Sequence, residues 1–281
     1  MSNIAWLAEE RLEAYAILAE AEITGLEIAP GIFFHAADDP FVPDNASARE
    51  ALREAADAGL SVVSMQSLLF GVTGAGLFDG AEARAVFEAG MHRAIALAGQ
   101  FGIPNLVFGS PAQRRVPDEM AMEAAMTEAA DVFHRLGDAA AAAGTRITIE
   151  ANPAAYGTNF LTTLEQAEAF VALVDHPAIA LILDLGAMHM NASFASVPAR
   201  LPALAPRLNH VHVSEPDLAP APADPAALVP VLTGLRAAGY TKAVSIEMKR
   251  PPQGLADVRR AVSRLVEAYR GAHQVEGALH A

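Results

Sequence analysis

The amino-acid sequence predicts one α/β domain folded as a single (β/α)8 TIM barrel, and three observations carry that expectation. Short β-branched or apolar runs alternate with longer Ala/Glu/Leu-rich stretches along the whole chain, giving eight strand–helix units. Its 281 residues suit one such barrel, which often runs to about 250 residues or more as one unit. No Gly-rich phosphate fingerprint follows any early strand, which argues against the alternative, an open doubly wound sheet.

The first four strands are read at Asn3–Leu7, Gly25–Pro30, Ser61–Gln66 and Asn105–Ser110. The last four are read at Arg146–Ala151, Ala180–Leu185, His210–Glu215 and Ala243–Met248. Between them lie stretches with apolar residues at helical spacing, such as AEARAVFEAGMHRAIALAGQ and GLADVRRAVSRLVEAYRG. Gly59, Gly102, Gly144 and Gly239 each stand just before a strand, where a helix ends in the left-handed conformation that glycine adopts without steric cost. After Asp184 only a short helix fits, around Pro198–Ala205. No composition break marks a second domain, so the barrel is assigned to residues 1–271. Residues 272–281 read as a tail that is loose or packs on a neighbour.

Composition narrows the function. Hydrophobic residues make up 53% of the chain, enough for a large core. The net charge of −14 opposes the basic face that nucleic acid requires. It does not oppose pairing into a homo-oligomer. With no cysteine there are no disulfides, thiolate ligands or cysteine nucleophiles, as in a reducing compartment. The N-terminal stretch lacks the basic flank and apolar core of a signal peptide, and no uncharged apolar run reaches the roughly 18 residues of a membrane span. The expectation is a cytoplasmic protein without a membrane partner.

Barrel active sites form where strands end. The last four strands close with Glu150, Asp184, His212 and Glu247, each an ionisable residue after an apolar run. Strand side chains alternate faces, so Thr148 groups with Glu150, His210 with His212 and Ser245 with Glu247 toward the barrel interior. Any one of these could make a private salt bridge or cap a helix. Four in consecutive strands at matching depth point instead to a shared divalent cation, because burying them unpartnered is costly. Three carboxylates and one imidazole suit Mn²⁺, with Mg²⁺ or Co²⁺ as alternatives, better than structural zinc.

These motifs, TIEAN at Glu150, LDLGAMHMN at Asp184, HVHVSE at His212 and SIEM at Glu247, resemble the xylose isomerase-like barrels. Within them the likeness is to the D-tagatose 3-epimerase group of sugar isomerases and epimerases. The resemblance implies that Glu150, Asp184, His212 and Glu247 hold one divalent metal ion. It also implies that Glu150 and Glu247 face each other across a keto sugar as the proton-transfer pair, acting through a metal-stabilised enediolate. His189 resembles a family histidine that contacts a substrate oxygen, although its spacing from Asp184 is longer here.

Other residues at strand ends are candidates for substrate binding. Glu27 and Gln66 are placed to bind sugar hydroxyls or to be satisfied rim residues, and Trp6 to form an apolar wall or to pack in the core. His210, grouped with these candidates, is either a hydrogen-bonding partner behind the site or a hydrogen-bonder in the core. The family's arginine after the histidine strand is missing; that loop reads SEPDLAPAPADP. Arg114 and Arg115 after the fourth strand, and Lys249 and Arg250 after Glu247, would bind a carboxylate or phosphate or form a solvated basic rim.

Three rivals follow. The same site could end in loss of a β-hydroxyl, as in a keto-sugar or keto-cyclitol dehydratase. A multi-zinc DNA-repair endonuclease of this superfamily needs further histidines where Pro30, Gln66 and Gly109 stand. A non-catalytic sugar-binding barrel would be expected to lack one of the two glutamates.

Overall fold

In the computed structural model, which describes residues 1–279 and side chains through Gln274, seven parallel strands pair in strict sequence order. They are β1 (Gly25–Ile28), β2 (Ser61–Met65), β3 (Leu106–Phe108), β4 (Ile147–Ile149), β5 (Ile179–Asp184), β6 (Leu208–Val213) and β7 (Val244–Ile246). Sequential order rules out the doubly wound alternative, whose strand order reverses at a switch point. The helices outside the ring are α1 (Arg11–Glu20), α2 (Pro30–Phe33), α3 (Asn45–Asp57), α4 (Ala81–Phe101) and α5 (Met122–Ala142). They continue with α6 (Leu164–Val174), α7 (Leu185–Met190), α8 (Val197–Leu204), α9 (Pro225–Ala237) and α10 (Leu255–Leu279). Among the described residues no helix is long and apolar enough to cross a membrane.

The expected first strand at Asn3–Leu7 does not form; Asn3–Ala5 is a 3-10 turn. Polar side chains divert the backbone there. Asn3 Oδ1 accepts from the Ala29 amide at 2.7 Å, doing with a side chain what a strand would do with its backbone. Closure falls to the two residues before it. The Ser2 amide donates to the Ile246 carbonyl at 2.8 Å, and the Glu27 amide donates to the Met1 carbonyl at 2.9 Å. A single parallel bridge, Ser2 to Glu27, thus stands for the eighth strand between β7 and β1.

Elsewhere the local signals hold. Gly59, Gly102, Gly144 and Gly239 all have positive φ, between 63° and 75°. Asp44 caps α3 by accepting from the Ala46 and Ser47 amides, and Thr163 and Gln166 form a capping box on α6. Past Asp184 the chain makes α7 at once and then α8, close to the helix expected at Pro198–Ala205. α10 runs unbroken past Gly271, so much of the expected tail continues the last helix; residues 280–281 lie outside the described residues.

Side chains pointing out of the ring, among them Leu26, Ile28, Ile149, Val211, Val213 and Ile246, are buried. Each such burial contributes roughly 1.5–3 kcal/mol. Edge-to-face contacts from Phe108 on β3 through Phe133 and Phe170 to Phe160 fix the wall beside β4. Inside the ring the floor is polar. Register shifts between Leu181 and Ile182 where β5 meets β6, which frees Asn209 to donate to Asn105 Oδ1 at 2.7 Å. Asn105 in turn donates to Ser64 at 2.9 Å. Above this layer stand the ionisable groups.

Candidate metal centre

Glu150, Asp184, His212 and Glu247 converge at the C-terminal mouth of the ring, each offering a ligand atom within 4.8 Å of the others. Four strands in succession deliver them: His212 lies within β6 and Asp184 ends β5, while Glu150 and Glu247 directly follow β4 and β7. His212 Nδ1 faces the three carboxylates, 3.1 Å from Glu247, 3.4 Å from Glu150 and 3.5 Å from Asp184. Buried as it is, this nitrogen makes no hydrogen bond of good geometry. An orphaned imidazole nitrogen among three carboxylates is the environment a hard divalent cation satisfies, so the residues fit one.

Each ligand is oriented from behind. Asp184 caps α7, its Oδ1 accepting from the Ala187 amide, and its Oδ2 accepts from Ser214 Oγ at 2.8 Å. Glu150 Oε2 accepts from Asn152 Nδ2 at 2.8 Å. His212 Nε2 lies 2.9 Å from Glu27, and His210 Nε2 lies 2.7 Å from the same carboxylate. These three are fully buried; Glu27 pairs with His212 Nε2 and so orients that ring from behind, while both His210 nitrogens lack a hydrogen bond of good geometry.

The electrostatics follow from burial and crowding. Burial alone would raise the Glu27 carboxyl, but the His212 and His210 imidazoles hold it well below the usual carboxylate range. Burial would lower His212, yet the Glu247 and Glu27 carboxylates raise it well above an ordinary histidine. His210 is lowered by burial despite Glu27. Glu247 is pushed up to about 7, mainly by burial, with His212 opposing and the Glu150 and Asp184 charges adding. In the metal-free protein His212 carries a proton, and below about pH 7 Glu247 does too, which a cation must displace. Mn²⁺ affinity should rise with pH through about 7, with proton release seen by calorimetry in buffers of different ionisation enthalpy. Affinity that stays flat across that range would contradict this arrangement.

A cavity of about 620 Å³ opens above the cluster, and Glu150, Asp184 and Glu247 line its floor. Ser67, Ser110, Asp217 and Leu218 on its wall have φ between 44° and 60°. They are four of the eight non-glycine residues in the left-handed region among the described residues, and backbone strain of this kind concentrates at functional sites. Gly109 is required on the floor. A Cβ there would lie 2.4 Å from Glu150 Oε2 and 3.3 Å from Asn152 Oδ1. Gly109→Ala is expected to displace Glu150 and weaken Mn²⁺ binding about tenfold or more, with little loss of thermal stability. Unchanged affinity in the alanine variant would show that Glu150 is not held by this contact.

Among the other candidates, Gln66 and Lys249 line the cavity. Gln66 Nε2 is already committed to Ser2 Oγ at 2.7 Å and Glu27 Oε1 at 2.9 Å. Glu27 and His210 do not reach the cavity, because they lie one layer below His212. Trp6 is buried against Tyr15, with ring centroids 6.3 Å apart, and forms no cavity wall. His189 stacks on Phe194 at 3.9 Å and does not line the cavity, since α7 turns it aside. Arg114 belongs neither to a rim nor to the wall: it is wholly buried. Arg115 and Arg250 are exposed near acidic partners, Asp118 at 3.8 Å and Glu10 at 2.7 Å. Asn152, Ser214 and Gly109 touch or crowd the cluster and are not among the candidates that the sequence singles out. The first two follow Glu150 and His212 by two residues, so period-2 alternation could have found them.

These features define an α/β barrel with a candidate divalent-metal centre at its C-terminal mouth. The profile of the xylose isomerase-like TIM barrels matches residues 15–268, and the chain belongs to that family. No curated protein sequence matches it. Among solved structures, L-ribulose 3-epimerase is similar with a TM-score of 0.77 and 20% identity, covering 100% of this chain and 97% of that one. An apo 3-keto-D-glucoside 4-epimerase from E. coli has a TM-score of 0.73 and 18% identity, covering 95% and 97%. D-Psicose 3-epimerase with D-tagatose, from Clostridium cellulolyticum H10, has a TM-score of 0.74 and 14% identity, covering 98% of each chain. At these identities the likeness is one of fold.

Proposed function

We propose that the chain is a divalent-metal-dependent isomerase or epimerase of a keto sugar or sugar derivative, working by proton transfer at a carbon next to a carbonyl. The observation that carries this reading is the convergence of Glu150, Asp184, His212 and Glu247 on the cavity floor. When bound, a divalent cation, Mn²⁺ first among the candidates, supplies Lewis-acid polarisation of the carbonyl and charge stabilisation as the neighbouring carbon loses its proton.

The protein's own residues do the rest. Glu247, on the cavity floor, is the base on one face of the substrate. Glu150 reaches the same cavity from β4 and takes or returns the proton on the other face, which inverts the carbon. Return to the adjacent carbon gives aldose–ketose isomerisation instead. Gln66 and Lys249 on the wall contact substrate hydroxyls. The family membership and the epimerase-like fold support this assignment.

The test is ¹H NMR in D₂O on Mn²⁺-loaded protein with ketohexoses, ketopentoses and keto-cyclitols, the final spectra recorded after removing the metal. Metal-dependent deuterium uptake next to the carbonyl with an isomeric product supports the proposal. Loss of water to an enone would assign a dehydratase. A protein that holds the metal but exchanges no proton with any of them would sink the catalytic reading.

A further inference from the structure

Arg114 is the one arginine among the largest fully buried side chains, at 0% exposure, and nothing so far accounts for it. It ends the 3-10 turn Pro111–Arg114 that follows β3, with its guanidinium 5.6 Å from the Phe108 ring centroid. Only one of its nitrogens is hydrogen-bonded. Nη2 donates to the Glu150 carbonyl oxygen at 2.8 Å and to Asn152 Oδ1 at 2.9 Å, whereas Nε and Nη1 are buried without a partner. Burial lowers the guanidinium to about 10, so it still carries its charge at neutral pH.

A buried cation with two unmet donors is a poor structural element, since each unmet donor forgoes a hydrogen bond it had in water. What its one bonded nitrogen holds is specific. Asn152 can present either its oxygen or its NH₂ to Glu150. The Arg114 donor claims the amide oxygen and so turns the NH₂ toward Glu150 Oε2, where it donates at 2.8 Å. A flipped amide would set oxygen against oxygen and push the carboxylate off its rotamer. The same Nη2 pins the Glu150 main chain, so backbone and side chain of one ligand are fixed from a single point.

We infer that Arg114, acting through Asn152, is a positioning residue that fixes Glu150 for the metal centre. The inference rests on the metal reading proposed above and adds to it a residue that touches neither the cavity nor the other three ligands. Outer-shell partners of metal ligands typically change affinity about 10–100-fold when removed.

The experiment is Mn²⁺ titration of purified full-length protein by calorimetry and EPR, for the wild type, Arg114→Met, Asn152→Ala and the double variant. A folded Arg114→Met should bind Mn²⁺ roughly 10–100-fold more weakly, with a changed EPR line shape. Asn152→Ala should do much the same, and the double variant should be no worse than the weaker single, because the two act in one relay. Val258→Ala, a cavity in α10 at a fully buried position, controls for lost stability and should leave affinity unchanged. If Arg114→Met fails to fold, Asn152→Ala still tests the relay without disturbing the guanidinium. Wild-type affinity in either single variant, or strictly additive losses, overturns the inference while leaving the metal reading intact. A wild type that takes up no Mn²⁺ overturns both.

Discussion

Glu247→Gln is expected to reduce metal-dependent proton exchange next to the substrate carbonyl by about 10²–10⁴-fold, the usual contribution of a general base. The amide keeps the shape of the side chain and one oxygen for the cluster, so the loss should fall on proton transfer more than on folding. Glu247 is the better placed of the two glutamates for this role. It lines the cavity with His212 Nδ1 3.1 Å away, whereas Glu150 is bound by Asn152. Glu150→Gln should behave differently, still exchanging the proton on the face that Glu247 serves while failing to interconvert the two epimers. Measuring exchange and product separately by NMR distinguishes these outcomes. A Glu247→Gln enzyme within a few-fold of wild type, at equal metal occupancy, would remove the residue from the chemistry.

Why the four clustered residues could be picked out from the sequence is plain in their surroundings. Each stands at the end of an apolar run, and in a parallel barrel that position has one meaning. Alternation along a strand tells which side chains point inward, but not how deep they lie. Glu27 shows the difference. It points inward as expected, yet it lies below His212 and is covered on all sides, so it orients a ligand and never meets the cavity. Arg114 is expected from its place after a strand to bind a substrate carboxylate or phosphate or to join a solvated rim; the 3-10 turn that carries it inward leaves no trace in periodicity. The first strand failed for a related reason. NIAWL has the composition of a strand, but Asn3 and Ser2 satisfy backbone groups with their side chains, and closure passes to residues too few to form a pattern.

Glu27→Leu is expected to be the most destabilising single change in the barrel interior. Wild-type Glu27 neutralises His212 and pairs with its Nε2 in a region closed to water, with the His210 ring close beside it. Removing one partner of a buried charged pair costs about 3–5 kcal/mol, because the other charge is left uncompensated. For a domain of this size that lowers Tm by roughly 10 °C. Mn²⁺ affinity should fall as well, since His212 loses the contact that sets its ring. Glu27→Gln should be milder: the amide oxygen still accepts from Nε2, and only the charge is lost.

The pH dependence of the metal-free protein separates the two contributions. Glu27 is held below its ordinary value in the folded state, so its share of stability is present above about pH 4.3 and is lost as pH falls through the lower folded value. His212 is raised, so its share is complete below about pH 6.5 and is lost as pH climbs through the higher folded value. The stability gap between wild type and Glu27→Gln, measured by urea denaturation with the metal removed, should therefore be widest between those limits. It should narrow in acid as the Glu27 carboxyl takes up its proton. A gap that is constant from about pH 3 to pH 7 would mean that Glu27 contributes hydrogen bonds but no charge, and that His212 is neutral before any cation arrives.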